Sequence, residues 1–437
     1  MPPISSTQGI ADTLARKRRG LTLTLLTAAY FFSYMDRQIL AILQELIKKD
    51  LNLSDTQLGL LAGFAFAVFY ATLGIPVARL ADRGNRVNII AVALTMWSVM
   101  TAVCGLAQNF VQLLLARIGV GVGEAGSSPP SLSIIADLYP PEKRAGAMSV
   151  FSLGNVLGAA GGSIIGGELA TLYGWRVAMM VVGLPGVVLA VLLKRFATEP
   201  RRGLSDVQRV VEGQTAGSMP TLSNGFRALF ADRAAFHLVM GVTITSLIGY
   251  GHAAFGPSFL VRSLGFSLTD ISRFVALPGA VMGTLSALLG GWLANRLAAR
   301  YGLYAQSWMV LALKCVGLPL SFVFYLASDH TTALLAYFVS MLLTNSYLGP
   351  TFALIQGLAP LRMRAMWAAV TLLVINLVGL GLGPALIGLA SDLLKPTYGQ
   401  ESLRYAMLTF AAVTPWALFH YWRAGAILKR REIAGAV

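Results

Sequence analysis

The chain has 437 residues, of which 56% are hydrophobic and only 12% charged, and its formal net charge is +15. Soluble domains average roughly 25% charged residues, so a water-soluble globule could not cover itself with this composition. The basic balance does not point to nucleic acid, because Lys and Arg fall between apolar runs instead of gathering on one soluble face. The 45 Gly and 18 Pro do not signal disorder, because they lie inside those runs, where membrane helices tolerate them.

A bilayer crossing takes about 20 mostly apolar residues. In chain order, the basic cluster Arg16, Lys17, Arg18 and Arg19 precedes a first apolar run that is too long for a signal-peptide core and lacks a small-residue cleavage site, so it reads as a retained span. The spacing of apolar runs predicts spans over 21–46, 58–80, 87–107, 110–136, 146–171 and 175–197, and again over 234–261, 271–295, 304–327, 332–355, 366–391 and 403–423. The fold class is therefore all-α and polytopic, with twelve transmembrane helices. Residues 1–197 form one six-helix half, 198–233 a hydrophilic cytoplasmic linker with room for a short surface helix, and 234–437 the second half. With the N-terminus inside, 24 of the 34 Lys and Arg lie on the cytoplasmic side and seven outside, which predicts cytoplasmic termini. Cys104 and Cys315 sit in different halves with no disulfide or metal spacing.

The halves repeat at an offset of 213 to 221 residues: Asp82-Arg83 against Asn295-Arg296, Arg144 against Arg364, and Asn155 against Asn376. Against this apolar background, Asp36 and Arg37 fall mid-span in the first helix, and Arg117 and Glu124 in the fourth. An ionisable group at the bilayer centre costs at least about 2.5 kcal/mol and marks function by default. Arg117 and Glu124 lie about 10 Å apart along one helix face, and the neighbours Asp36 and Arg37 point about 100° apart. Partners must come from across helices: Asp36 to Arg117, Arg37 to Glu124, or both. Lys314, His252, Asn155, Asn345 and Asn376 are further polar residues within spans, to be read as packing or as cargo contacts.

The run Asp82, Arg83, Gly84, Asn85, Arg86 between the second and third spans resembles the signature of the major facilitator superfamily. Tyr34 to Arg37, the pattern from Arg117 through Gly119, Gly121 and Gly123 to Glu124, then Pro129, Asp137 and Pro140 to Arg144, resemble its spinster-like lineage. The Gly-Pro motif of proton antiporters is nearly present in the fifth span, but Ala159 follows Gly158 where that motif has proline. The resemblance implies two pseudo-symmetric six-helix bundles working by alternating access, with the cargo site near the midplane. It also implies a cytoplasmic latch, for which Asp82, Arg83, Arg86, Asp137 and Arg144 are the candidates, with Asp82 against a helix N-terminus and Arg83 or Arg144 on Asp137.

Function follows from the intramembrane charges. A carboxylate beside an arginine stays ionised; once the arginine is withdrawn or taken by an anion, it can accept a proton. Asp36 and Glu124 are thus the candidate proton-coupling groups, and Arg37 and Arg117 the candidate cargo-binding or charge-pairing groups, since guanidinium grips carboxylate or phosphate with two parallel bonds. The expectation is a proton-coupled carrier, with the proton as coupling ion and no cofactor. Phe255, Phe259, Tyr337 and Phe338 give the second half an apolar aspect that suits an amphiphile. The resemblance implies a lysolipid or sphingoid phosphate cargo; a sugar-acid or small organic-anion symporter uses the same arginine logic, and an uncoupled scramblase or channel is the alternative of a different class. No serine–histidine pair, metal-ligand cluster or phosphate loop points to an enzyme. The expected setting is a bacterial inner membrane and the expected partners are cargo and lipid, with the chain a monomer.

Overall fold

The computed structural model describes residues 13–205, 222–360 and 363–434. All regular structure among them is helical. The elements are α1 (Arg19–Leu51), α2 (55–83), α3 (Arg86–Cys104), α4 (Phe110–Glu124), α5 (Ser128–Leu138), α6 (Pro141–Phe196), α7 (Leu222–Ala231), α8 (Arg233–Leu264), α9 (268–301), α10 (Tyr304–Leu326), α11 (His330–Thr344), α12 (Leu348–Leu358), α13 (364–398), α14 (Ser402–Ala411) and α15 (Thr414–Ile433). Eight helical runs among the described residues are long and apolar enough to cross a bilayer. Two of these, Glu142–Phe196 and Met366–Ile433, are long enough for two spans each, and α1 and the α4–α5 pair complete twelve. Those last two are less continuous as apolar helices: α1 holds Asp36, Arg37 and Gln38 at its middle, and α4 and α5 are separated by a break.

The chain divides into two compact units, Met1–Asn52 with Ala65–Gly217, and Leu53–Phe64 with Ser218–Val437. Both wear their apolar side chains outward: Leu115, Val188, Leu288, Leu335 and Leu393 are exposed, while Asp36, Arg86, Arg117 and Glu124 are buried. That inversion fits a hydrocarbon solvent.

In the first unit, α6 runs 56 residues and turns only at Gly174, whose φ of 81° no side-chain-bearing residue adopts readily. This single residue divides the two spans expected over 146–171 and 175–197. Before the bend, Gly154, Gly158, Gly162 and Gly166 recur every fourth residue and face α1. A Cβ on Gly154 would lie 2.6 Å from the Thr27 carbonyl oxygen and one on Gly162 2.7 Å from that of Met35. The glycines thus bring two backbones into direct contact.

The repeat is also visible in backbone detail. Ser54 and Gln57 form a capping box followed by a π-helical turn at Leu60–Phe64; Ser267 and Asp270 form another, followed by a π-helical turn at Ile271–Ala276. The helix α4–α5 breaks after Glu124, and α11–α12 breaks through a 3₁₀ turn at Asn345–Tyr347. In the second unit, α13 carries a π-helical stretch at Ile375–Leu382 and packs Gly379 and Gly383 onto Ser246 and Leu247 of α8. A short helix, α7, lies in the expected linker region, with Phe226 and Phe230 stacked at 4.6 Å and Leu229 buried in the core of the second unit.

Candidate functional site

Four helices of the first unit converge on the buried charges. Gly121 and Gly123 let α4 approach its neighbours: a Cβ on Gly121 would lie 2.8 Å from the Phe66 carbonyl oxygen of α2, and one on Gly123 2.7 Å from the Trp97 nitrogen of α3. Glu124 ends α4, and its side chain is wholly buried. From α1, Arg37 donates to Glu124 Oε2 through Nε at 2.9 Å and Nη2 at 2.6 Å, and Ser33 donates to the same oxygen at 2.7 Å. All three bonds fall on one oxygen; Oε1 is buried with no hydrogen-bond partner.

The Arg37 guanidinium carbon also stands over three rings, Phe66 at 4.5 Å, Tyr34 at 4.9 Å and Tyr70 at 5.0 Å. Asp36 is buried beside it and accepts from the Thr101 hydroxyl of α3 at 3.0 Å through Oδ2, while its Oδ1 is without a partner. Arg117 is buried, with its guanidinium carbon 5.9 Å from the Phe66 ring centre and Nε unsatisfied. Of the two cross-helix pairs the sequence allows, the structure forms Arg37 with Glu124; Asp36 and Arg117 make no ion pair. Three polar atoms are therefore left open in one buried cluster, where satisfied groups are the rule.

A second network forms at the start of α3. Arg86 is fully buried and reaches Asp137 at 2.5 Å, Glu199 at 2.6 Å, the Ser133 hydroxyl at 2.8 Å and the Pro200 carbonyl at 2.8 Å. Asp137 in turn accepts from the Gly203 nitrogen at 2.9 Å. The cation on Asp137 is thus Arg86, correcting the expectation of Arg83 or Arg144. Arg83 is exposed, and Arg144 donates to the Ala136 carbonyl at 2.7 Å, capping the end of α5. The side chain of Asp82 lies outside the described residues. Glu199 escaped sequence reading because it looks like any loop acid after a span.

In the second unit Lys314 is buried on α10, donates to the Thr344 carbonyl at 3.3 Å, and stands 4.6 Å from the Tyr347 ring centre. His252 bonds the Met407 carbonyl at 3.0 Å through Nε2 and packs on Tyr325. Asn155 and Asn376 are half-buried and Asn345 is exposed. Asn155 belongs to the same unit as the Arg37–Glu124 cluster, and the other four to the second unit.

Sequence reading passed over Asp55 entirely. The helix begins three residues before the predicted second span, and Asp55 is 1% exposed. Arg262 grips both its oxygens at 2.8 Å, Ser391 donates at 2.6 Å, and Asp392 caps the same turn by accepting from the nitrogens of Asp55 and Thr56.

The Major Facilitator Superfamily family model matches residues 26–388. An "MFS-type efflux pump" of Mycolicibacterium smegmatis is 34% identical over 427 residues, covering 98% of this chain and 97% of that protein. "Protein spinster homolog 1" of Xenopus laevis is 29% identical, over 92% of this chain and 79% of its own. The crystal structure of a bacterial homologue of the human lysosomal transporter Spinster, inward-facing and unoccupied, superposes with a TM-score of 0.83 at 29% identity, covering 94% of this chain and 98% of that one. Helical architecture, the buried charges and the extent of these matches agree: the chain is a transporter and not an enzyme, it resembles the spinster lineage, and it belongs to the Major Facilitator Superfamily.

Proposed function

We propose that this chain is a proton-coupled secondary carrier that works by alternating access and moves an amphiphile bearing an acidic group, of the lysolipid or sphingoid phosphate class. The observation that carries this reading is the half-satisfied cluster: Arg37 locked on one oxygen of Glu124, with Asp36 Oδ1, Glu124 Oε1 and Arg117 Nε all without partners. A static brace would satisfy its members; a buried pair left incomplete is a poor stabiliser. An acidic cargo group draws Arg37 off Glu124, and Asp36, adjacent in sequence and open at one oxygen, takes up the proton. The coupling ion is the proton and no cofactor takes part.

The protein resides in a bacterial inner membrane as a monomer among lipids, with both termini in the cytoplasm, as the distribution of Lys and Arg favours. The Arg86 network, tying α3 to Asp137 and to Glu199, is then the cytoplasmic latch.

The test is flux into proteoliposomes under an imposed pH gradient, run on lysolipids, sphingoid phosphates and sugar acids. Asp36→Asn is expected to abolish gradient-driven flux of the true cargo. Unaltered pH dependence in that variant excludes Asp36 as the carrier. Flux that ignores the gradient in the unmodified protein indicates a scramblase or channel, and preference for sugar acids over lipids removes the amphiphile.

A further inference from the structure

Arg37 has more company than an ion pair requires. Glu124 accounts for its hydrogen bonding, yet the guanidinium is also enclosed by Tyr34 from α1 and by Phe66 and Tyr70 from α2, at 4.9, 4.5 and 5.0 Å. Phe66 and Tyr70 stack nearly parallel, their centres 5.2 Å apart at 19°, and present their faces together. Elsewhere the buried Lys314 meets one ring. Ring faces carry negative potential, and several of them around a cation, with a carboxylate behind, make up the usual means of recognising organic ammonium ions. The enclosure is not sealed: the Arg37 side chain is 22% exposed, while Glu124 at its floor is 0% exposed.

We propose that Tyr34, Phe66, Tyr70 and Glu124 form a binding site for an organic ammonium group, which Arg37 fills in this state. This rests on the reading that cargo enters the Arg37–Glu124 cluster. When an acidic group of the cargo draws the Arg37 guanidinium away, three ring faces and an uncompensated carboxylate remain, and burying that carboxylate alone is costly. A cation carried by the same cargo takes the vacated place. Arg117, whose Nε has no partner and whose guanidinium lies 5.9 Å from the Phe66 ring, helps hold the acidic end close by. The cargo is then a zwitterionic amphiphile, its ammonium against the rings and its acid on the arginines. Guanidinium needs directional hydrogen bonds; a quaternary ammonium needs only the rings and the negative floor, so the site accepts both.

Arg37→Ala vacates the site, and tetramethylammonium chloride is the probe, with sodium chloride at equal ionic strength as reference. The variant's thermal midpoint is expected to rise saturably by about 2–4 °C at tenfold excess over Kd, while the unmodified protein, its site filled by Arg37, does not respond. Adding Tyr70→Leu should raise the ion concentration required about tenfold. An Arg37→Ala variant that responds no more than the unmodified protein overturns the proposal. Should that variant fail to fold, equilibrium binding of octylphosphocholine, whose phosphate can draw Arg37 away while its quaternary ammonium takes the vacated place, to the unmodified protein and to Tyr70→Leu decides: a roughly tenfold loss supports the site, and equal affinity refutes it. Neither readout depends on proton coupling, so a failed cage leaves Asp36-dependent flux standing, and a loss of pH dependence leaves the cage standing.

Discussion

The two broken helices make an instructive pair. α4 stops at Glu124 and α11 at Thr344, 220 residues later, and both chains resume within four residues as α5 and α12. Pro130 and Pro350 lie at the same offset. The carbonyl end of a helix carries partial negative charge. At the second break a cation answers it: Lys314 sits on the Thr344 carbonyl. At the first break the chain places a carboxylate where the dipole opposes one, and Arg37 must be brought in from α1 to hold it. One backbone device is relaxed in the second unit and electrostatically loaded in the first. The loaded one depends on a removable partner, and under the proposed mechanism it is the switching element.

Three substitutions probe this contrast. The largest effect is expected from Glu124→Gln: loss of gradient-driven flux in proteoliposomes, and a stability loss of roughly 2–3 kcal/mol by thermal denaturation, because Arg37 keeps its charge without its acid. Retained coupled flux would remove the first break from the mechanism. Lys314→Met replaces a buried ammonium that has no acid by an apolar chain of similar length. Flux should stay within about twofold and stability hold or rise by about 1 kcal/mol; a collapse of flux would show the second break to be loaded as well. The smallest effect belongs to Thr344→Ala. The break uses the carbonyl of that residue, so flux should be unchanged and the loss of its packed methyl should cost about 1 kcal/mol, read from the thermal midpoint.

Much of the fold could be read from residues 21 to 423, since hydrocarbon enforces long apolar helices. The candidate cluster was readable for the same reason: Asp36, Arg37, Arg117 and Glu124 stand out where charge is expensive. What stayed hidden lay at span ends, where charge is ordinary. Asp55, Arg262 and Glu199 look like solvated loop residues, and only the packing shows Asp55 at 1% exposure and sets the latch candidate Arg86, at 0%, on Asp137 and Glu199. The three rings around Arg37 were invisible for another reason. Tyr34, Phe66 and Tyr70 come from two helices, and aromatic residues in apolar spans carry no periodic mark of a shared target. Likewise no Gly or Pro falls within Asn345–Tyr347 to announce the second break.

The glycine rungs on α6 carry a mechanical consequence. Gly154, Gly158, Gly162 and Gly166 meet α1 at one-turn intervals, Thr27, Phe31, Met35 and Ile39 taking the facing places. Four residues of helix rise about 6 Å, so a displacement of that length would set each rung into the seat of the next with the fit restored. Because α1 bears Asp36 and Arg37, this ruler fixes the stride by which the charged residues can be carried along α6 without prying the helices apart.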